Sequence, residues 1–357
     1  MMKYQKTNSL QMRHALLDIS NGYPIIYHDS IADECYLIIN AVNFLNYINI
    51  NSTTQNHYLV LPQERINEIS DHEIKTNVQI LINKNNINKI NDLAYSLSKI
   101  DISNINIEES NNSIDDIIIK LFKHAEEIPS FIKVKITENN LNDFDNICII
   151  NTIIIKEYLN NRGDIQFIIN TKIISKYSIN SEMILFKDNY NRTHIAYLIH
   201  KDRINNDTAP IIRIHSECKT GDLFGSLTCD CGDQLEKSFE LMSNSPSGGV
   251  LIYLNQDGRG IGLKNKLLSY QLQYKDMDTV EANLFLGFSR DERCFKVAYN
   301  ILNYLKIKNI QLITNNPHKI LAIEKQKINI TKCLKLECIK NNYNKKYIDV
   351  KKNKLHI

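Results

Sequence analysis

Short apolar runs separated by polar breaks set the elements this chain can form. In the first half, Pro24-Ile-Ile-Tyr-His, His57 to Pro62 and Val78 to Ile82 read as strands, and Tyr36 to Asn46 as a strand leading into a helix. Helical spacing of apolar positions predicts helices at His14 to Ile19, Ile114 to His124 and Leu141 to Asp145, whereas Asn104 to Asn112 is polar and reads as loop. From about residue 166 the texture turns β-rich, with strands predicted at Gln166 to Thr171, Met183 to Lys187, His194 to His200 and Pro210 to His215. The chain then alternates. A strand at Gly249 to Leu254, a glycine-rich loop at Asn255 to Gly262 and a helix at Leu263 to Tyr274 are followed by a helix at Arg290 to Leu305. A strand at Asn309 to Thr314 and a helix at His318 to Gln326 complete the series. Such alternation predicts a mixed α/β protein whose second half is built of βαβ units, with ligand groups at strand ends.

Length and composition narrow this picture. A chain of 357 residues suggests two domains, and the balance of 43% hydrophobic to 23% charged residues is that of an ordinary globular protein. The net charge of +3 is too small to imply a nucleic-acid partner. No apolar run is long enough to span a membrane, and the N-terminus lacks the apolar segment of a secretory signal. Eight cysteines, scattered except for one trio, point to metal or reduced-thiol usage and a cytoplasmic location rather than a disulfide framework. The lysine-rich tail, with two tyrosines, reads as a solvated end.

Glycine usage separates the halves. Nine of the eleven glycines fall between Gly221 and Gly287, where backbone that turns sharply or approaches phosphate needs them. The cysteine trio lies in the same region: Cys218, Cys229 and Cys231 occur within fourteen residues. Three protein ligands leave a fourth tetrahedral position open, the pattern of catalytic zinc. On spacing alone, a structural zinc with a distant fourth ligand and a metal-free cluster remain open as well. Asp257-Gly258-Arg259-Gly-Ile-Gly falls between a predicted strand and helix, where backbone N–H groups and Arg259 could hold phosphates. Tyr270, among Leu267, Leu268 and Leu272, has the spacing of a packing residue, and Lys319 that of a surface lysine.

Six segments taken together carry more than any one of them. They are Arg213-Ile-His-Ser-Glu-Cys-Lys-Thr-Gly-Asp, Cys229-Asp-Cys-Gly-Asp-Gln-Leu, Asp257-Gly-Arg-Gly-Ile-Gly-Leu, Asp278-Thr-Val-Glu-Ala-Asn, Asp291-Glu-Arg and Thr314-Asn-Asn-Pro-His-Lys. In this order and spacing they closely resemble GTP cyclohydrolase II, an enzyme of riboflavin synthesis, from about residue 166 to the end, the tail included.

The resemblance implies hydrolysis of GTP to the diaminopyrimidine ribotide, formate and pyrophosphate in a homodimer, with zinc on Cys218, Cys229 and Cys231 and magnesium on the triphosphate. It implies Arg293 as the nucleophile at the α-phosphate, Asp291 as proton acceptor, and Tyr270 as an aid to formate release. A guanidinium is an unusual nucleophile, and the milder alternative is that Arg293 stabilises charge. Substrate contacts are implied for Arg213, Ile214, His215, Ser216, Glu217, Gln234, Asp257, Gly258, Arg259, Thr279, Thr314 and Lys319. The family usually has Glu where this chain has Asp257. The alternative function is a zinc- and GTP-binding module that has lost turnover.

Residues 1–165, against 166–357, form the other expected domain. The stretch Ala15-Leu-Leu-Asp-Ile-Ser-Asn-Gly-Tyr-Pro-Ile-Ile-Tyr-His-Asp weakly resembles the opening of dihydroxybutanone phosphate synthase. Of that enzyme's acidic loop, Asp33 and Glu34 alone remain, so this resemblance implies an inactive domain.

Overall fold

The computed structural model describes residues 2–47, 55–70, 73–110, 112–137, 146–336 and 340–355. The protein is mixed α/β, and the described residues form two seven-stranded sheets in two compact units. One unit holds residues 1–160 and 264–292, the other 161–263 and 293–357. The segment 264–292, expected to belong with the second half, thus packs with the first.

In the first unit the strands are β1 (Ile25–Asp29), β2 (Glu34–Asn40), β3 (His57–Leu61), β4 (Asn77–Leu81), β5 (Glu108–Ser110), β6 (Phe131–Ile136) and β7 (Cys148–Asn151). They run in the order β5-β4-β3-β6-β2-β1-β7, antiparallel except for the parallel pair β1 and β7. Strand β5 lies where a polar loop was expected, because Ser110 pairs with Asn77 on the sheet edge. The first helix is longer than its apolar spacing suggested, Met2–Asn21. The Ser113–His124 helix has clear local causes. Asn112 accepts the Ile114 N–H at 3.0 Å, Asp115 and Asp116 occupy the first turn, and Lys123 and His124 the last. Leu141 to Asp145 lies outside the described residues.

In the second unit β8 (Ile165–Ser175), β9 (Ser178–Asp188), β10 (Thr193–Ile199), β11 (Ile211–Ser216), β12 (Gly249–Leu254), β13 (Asn309–Ile313) and β14 (Asn329–Leu334) form the order β14-β13-β11-β12-β10-β9-β8. The pairs among β11, β12, β13 and β14 are parallel, and β8 to β10 add an antiparallel edge. Strand β11, paired on both sides, decides where the chemistry goes. Ile212 and Ile214 enter one apolar cluster with Ile252, Leu254 and Leu302, while Ile211 joins a second cluster with Met242 and Leu251. The two-residue period of a strand therefore places Arg213 and His215 on the Ile211 face.

The helix expected from Arg290 begins at Lys296. Ahead of it, backbone groups take side-chain partners instead of helical ones: Ser289 N–H donates to Glu292 at 2.8 Å and Cys294 N–H to Gln256 at 3.1 Å. Asp291 and Arg293 accordingly lie in irregular chain rather than at a helix start.

Candidate functional site

The parallel strands β11, β13 and β14 bring their carboxyl ends together at a cavity of about 710 Å³. Ser216 ends β11, and Thr314 follows β13. Among its lining are His215 and Gln234 with Arg213, Arg259, Arg293 and Lys319, the last four a cluster of cations suited to an anionic ligand. Carboxyl ends of parallel strands are where α/β sheets bind ligands.

Beyond β11 the chain loops through the cysteines. The Sγ atoms of Cys218, Cys229 and Cys231 lie within 4.8 Å of one another, with Cys218 and Cys229 at 3.8 Å. Gly221 lies against them: a Cβ there would stand 2.8 Å from the Cys229 Sγ and 3.2 Å from the Cys218 Sγ. Hydrogen bonding from Cys218 pushes the Cys229 thiol up to about 11 and raises the Cys231 thiol as well, so the crowded thiols hold their protons. A divalent cation would displace those protons, and three thiolates with an open fourth position suit zinc.

The loop is fixed by Asp222, whose buried carboxylate accepts the Cys218 N–H at 3.0 Å, the Tyr253 hydroxyl at 2.8 Å and His215 Nε2 at 3.1 Å. The His215 and Tyr253 rings stack at 5.6 Å. Burial lowers the His215 pKa, which keeps the imidazole neutral with its Nε2 proton toward Asp222. Glu217 pairs with Lys219 at 3.3 Å, and burial raises its pKa. The Ile214 carbonyl accepts the Lys319 ammonium at 2.9 Å.

The glycine-rich loop is a tight left-handed turn at Gly258 (φ 61°) and Arg259 (φ 63°). Asp257 is buried, and its two oxygens accept the N–H groups of Gly258 at 2.7 Å and Lys219 at 3.1 Å. It thereby ties the turn to the cysteine loop. The Arg293 guanidinium and the Lys319 ammonium lie 5.3 and 5.2 Å from the Phe295 ring centre.

Three expected residues belong to the other unit. Tyr270 is half-buried on the Gly262–Gln273 helix, with the Lys266 ammonium 6.0 Å from its ring. Thr279 opens the Thr279–Phe285 helix, whose capping box is Asp278 and Glu281, and Asp291 is exposed.

The C-terminal segment contributes more than its charge suggested. It forms a helix, Lys345–Leu355, and brings Tyr347, Ile348 and Lys351 to the cavity. The lysines masked the signal, but Asn341 gave one: its side chain accepts the N–H groups of Tyr343 and Asn344 at 2.7 and 2.8 Å, a turn that starts a helix.

Parallel strands that end at a cationic cavity, with a three-thiol cluster at its edge, define an α/β enzyme for an anionic substrate. The family profile of GTP cyclohydrolase II matches residues 166–335. GTP cyclohydrolase-2 of Picrophilus torridus is 40% identical over 54% of this chain and 97% of its own length. The Haemophilus influenzae protein of the same name is 42% identical over 54% of this chain and 88% of its own. The riboflavin biosynthesis protein RibBA of Endomicrobium trichonymphae is 43% identical over 54% of this chain, and the match spans about half of it, 47%. The chain belongs to the GTP cyclohydrolase II family.

Among solved structures, a two-domain 3,4-dihydroxy-2-butanone 4-phosphate synthase from A. baumannii aligns over 92% of this chain and 99% of its own at 13% identity, with a TM-score of 0.33. No helix among the described residues is long and apolar enough to cross a membrane.

Proposed function

We propose that this chain hydrolyses GTP to the diaminopyrimidine ribotide, formate and pyrophosphate, as a cytoplasmic homodimer serving riboflavin synthesis. The observation that carries the reading is the three-thiol cluster at the edge of a cavity lined by Arg213, Arg259, Arg293 and Lys319. Cations on several sides suit a triphosphate, and magnesium on its oxygens would complete the charge balance. Cys218, Cys229 and Cys231 would hold zinc, which when bound supplies Lewis acidity for attack on the guanine imidazole ring.

The chain's own residues then have distinct roles. Arg213, Gln234, Thr314 and Lys319 bind and orient, and neutral His215, its Nε2 proton held by Asp222, offers Nδ1 as an acceptor. Ile214, Ser216, Glu217, Asp257, Gly258 and Thr279 complete the proposed contacts. Arg293 acts at the α-phosphate with Asp291 as proton acceptor, and Tyr270 assists formate release. For Arg293 the stabilisation of phosphoryl charge needs no deprotonated guanidinium.

The test is the product mixture from GTP. Formate with pyrophosphate supports the reading, and unchanged GTP overturns it in favour of a binding module without turnover. Arg293→Ala is expected to abolish pyrophosphate release, whereas Tyr270→Phe should slow formate release more than the phosphate step.

Residues 1–165 we propose to be a degenerate dihydroxybutanone phosphate synthase-like domain without that activity, ahead of a GTP cyclohydrolase II domain at 166–357. Its two remaining acidic-loop carboxylates are engaged, Asp33 with His28 at 2.8 Å and Glu34 with Lys135 at 2.5 Å. Incubation with ribulose 5-phosphate and magnesium checks this, and turnover above background would overturn it.

A further inference from the structure

One wall of the cavity lies beyond the stretch that the family profile matches. Lys340, Tyr347, Ile348 and Lys351 line it, all C-terminal to residue 335. The helix that carries the last three is anchored by Ile348, 3% exposed, and by the fully buried Asn344 at its start. Lys351 stands one turn after Tyr347, with its ammonium 5.0 Å from that ring and 2.7 Å from Oδ1 of Asp230.

Asp230 is the residue between Cys229 and Cys231, and its side chain is 1% exposed. Its Oδ2 accepts the Gln234 amide at 2.7 Å, and the Gln234 carbonyl in turn accepts Arg213 Nη2 at 2.5 Å. A polar chain therefore runs Lys351–Asp230–Gln234–Arg213 along the cavity. A carboxylate this buried needs a cationic partner. Lys351 is one such partner, at 2.7 Å, and Arg213 is the cation at the other end of the chain.

We propose that Lys351 is a positioning residue for the substrate-binding cations. Its ammonium neutralises Asp230, so that Gln234 keeps its carbonyl toward Arg213 and the Arg213 guanidinium remains directed to the phosphates rather than drawn to Asp230. The proposal rests on GTP being the substrate and adds a contribution from the C-terminal helix.

The test is a double-mutant cycle on the full-length, metal-loaded protein, with Lys351→Met, Asp230→Asn and the double variant. In the Asp230 background, Lys351→Met should raise KM for GTP about tenfold with kcat within about threefold, the pattern of lost ground-state binding. In the Asp230→Asn background the same change should shift KM less than about threefold, because no buried charge is left to neutralise. Metal content should stay at the wild-type level in Lys351→Met.

Equal loss in both backgrounds would mean that Lys351 meets the phosphate directly, and overturns the proposal. So does an unchanged KM in Lys351→Met, or loss of metal from it. If the wild-type protein leaves GTP intact, the functional reading fails separately, and the same cycle read as inorganic tripolyphosphate affinity by calorimetry decides this proposal with the same fold-changes.

Discussion

Nη1 of Arg65 donates to the backbone carbonyl of Phe285 at 2.7 Å, joining residues 220 positions apart. Arg65 is fully buried, and its remaining donors reach the carbonyls of Leu93 at 3.0 Å and Ser96 at 2.9 Å. Its guanidinium also lies 5.1 Å from the centre of the Phe285 ring. One side chain thus closes the end of the Thr279–Phe285 helix and fastens segment 264–292 to the unit that holds it.

Arg65→Met should therefore be among the most destabilising single changes in that unit. It leaves the carbonyls of Leu93 and Phe285, both buried residues, without this donor, each costing about 1–3 kcal/mol, so a loss of about 4 kcal/mol is expected. Urea unfolding followed by circular dichroism measures it. A loss below about 1 kcal/mol, the size of an ordinary surface change, would show that the carbonyls find other donors.

Gly221 offers a way to disturb the proposed metal site without removing a proposed ligand. Its φ is not left-handed; the constraint is space, since a Cβ would crowd the Cys229 and Cys218 Sγ atoms at 2.8 and 3.2 Å. Gly221→Ala should lower zinc affinity at least about tenfold by spreading the thiols from tetrahedral reach. Cys229→Ser should abolish zinc and formate release together. Elemental analysis after dialysis against a chelator reads both, and a full zinc complement in either variant, or formate from metal-free Cys229→Ser, contradicts the assignment.

Much of this site was legible because its chemistry is local in sequence. The alternation along β11 and the spacing of Cys218, Cys229 and Cys231 carry their geometry with them. What was hidden depends on distant partners. The segment 264–292 joins the first unit through Arg65 and through Glu127, which takes the Lys264 ammonium at 2.6 Å, and no periodicity announces such pairings. The Arg290 to Lys296 stretch has helical spacing, yet Gln256 captures the Cys294 N–H. The C-terminal helix was obscured by its lysines, although one of them, Lys351, is nearly buried against Asp230. Charge alone does not distinguish a solvated lysine from one that neutralises a buried carboxylate.

His57 sets an acid limit on the first unit. It is 3% exposed on β3, with its ring 6.0 Å from that of Phe44, and burial lowers its pKa from the ordinary 6.5. The unfolded chain therefore takes up the proton more readily than the folded one. His57 imposes no penalty above pH 6.5, and stability falls as the pH drops below that value through the folded-state pKa. Thermal midpoints between about pH 8 and pH 5 should fall less in His57→Leu than in the wild type. An equal fall in both proteins would assign the acid sensitivity to other groups.

Arg259 combines a left-handed backbone with a side chain proposed to bind substrate, and substitutions can separate the two. Its φ of 63° and ψ of 32° place a non-glycine residue in the left-handed region, next to Gly258 and Gly260, which share positive φ. That conformation costs about 1 kcal/mol for any residue with a Cβ. Arg259→Gly removes both the cost and the cation, whereas Arg259→Ala removes the cation and keeps the cost. Both variants should raise KM for GTP about tenfold or more, since one of the cavity's cations is lost. Arg259→Gly should nevertheless be about 1 kcal/mol more stable than Arg259→Ala. Equal stabilities would show that the turn carries no strain, and an unchanged KM in both would show that the guanidinium does not reach the substrate. Higher stability with weaker substrate binding in the glycine variant is the expected pair of results, because the turn holds Arg259 at the cavity at the expense of backbone energy.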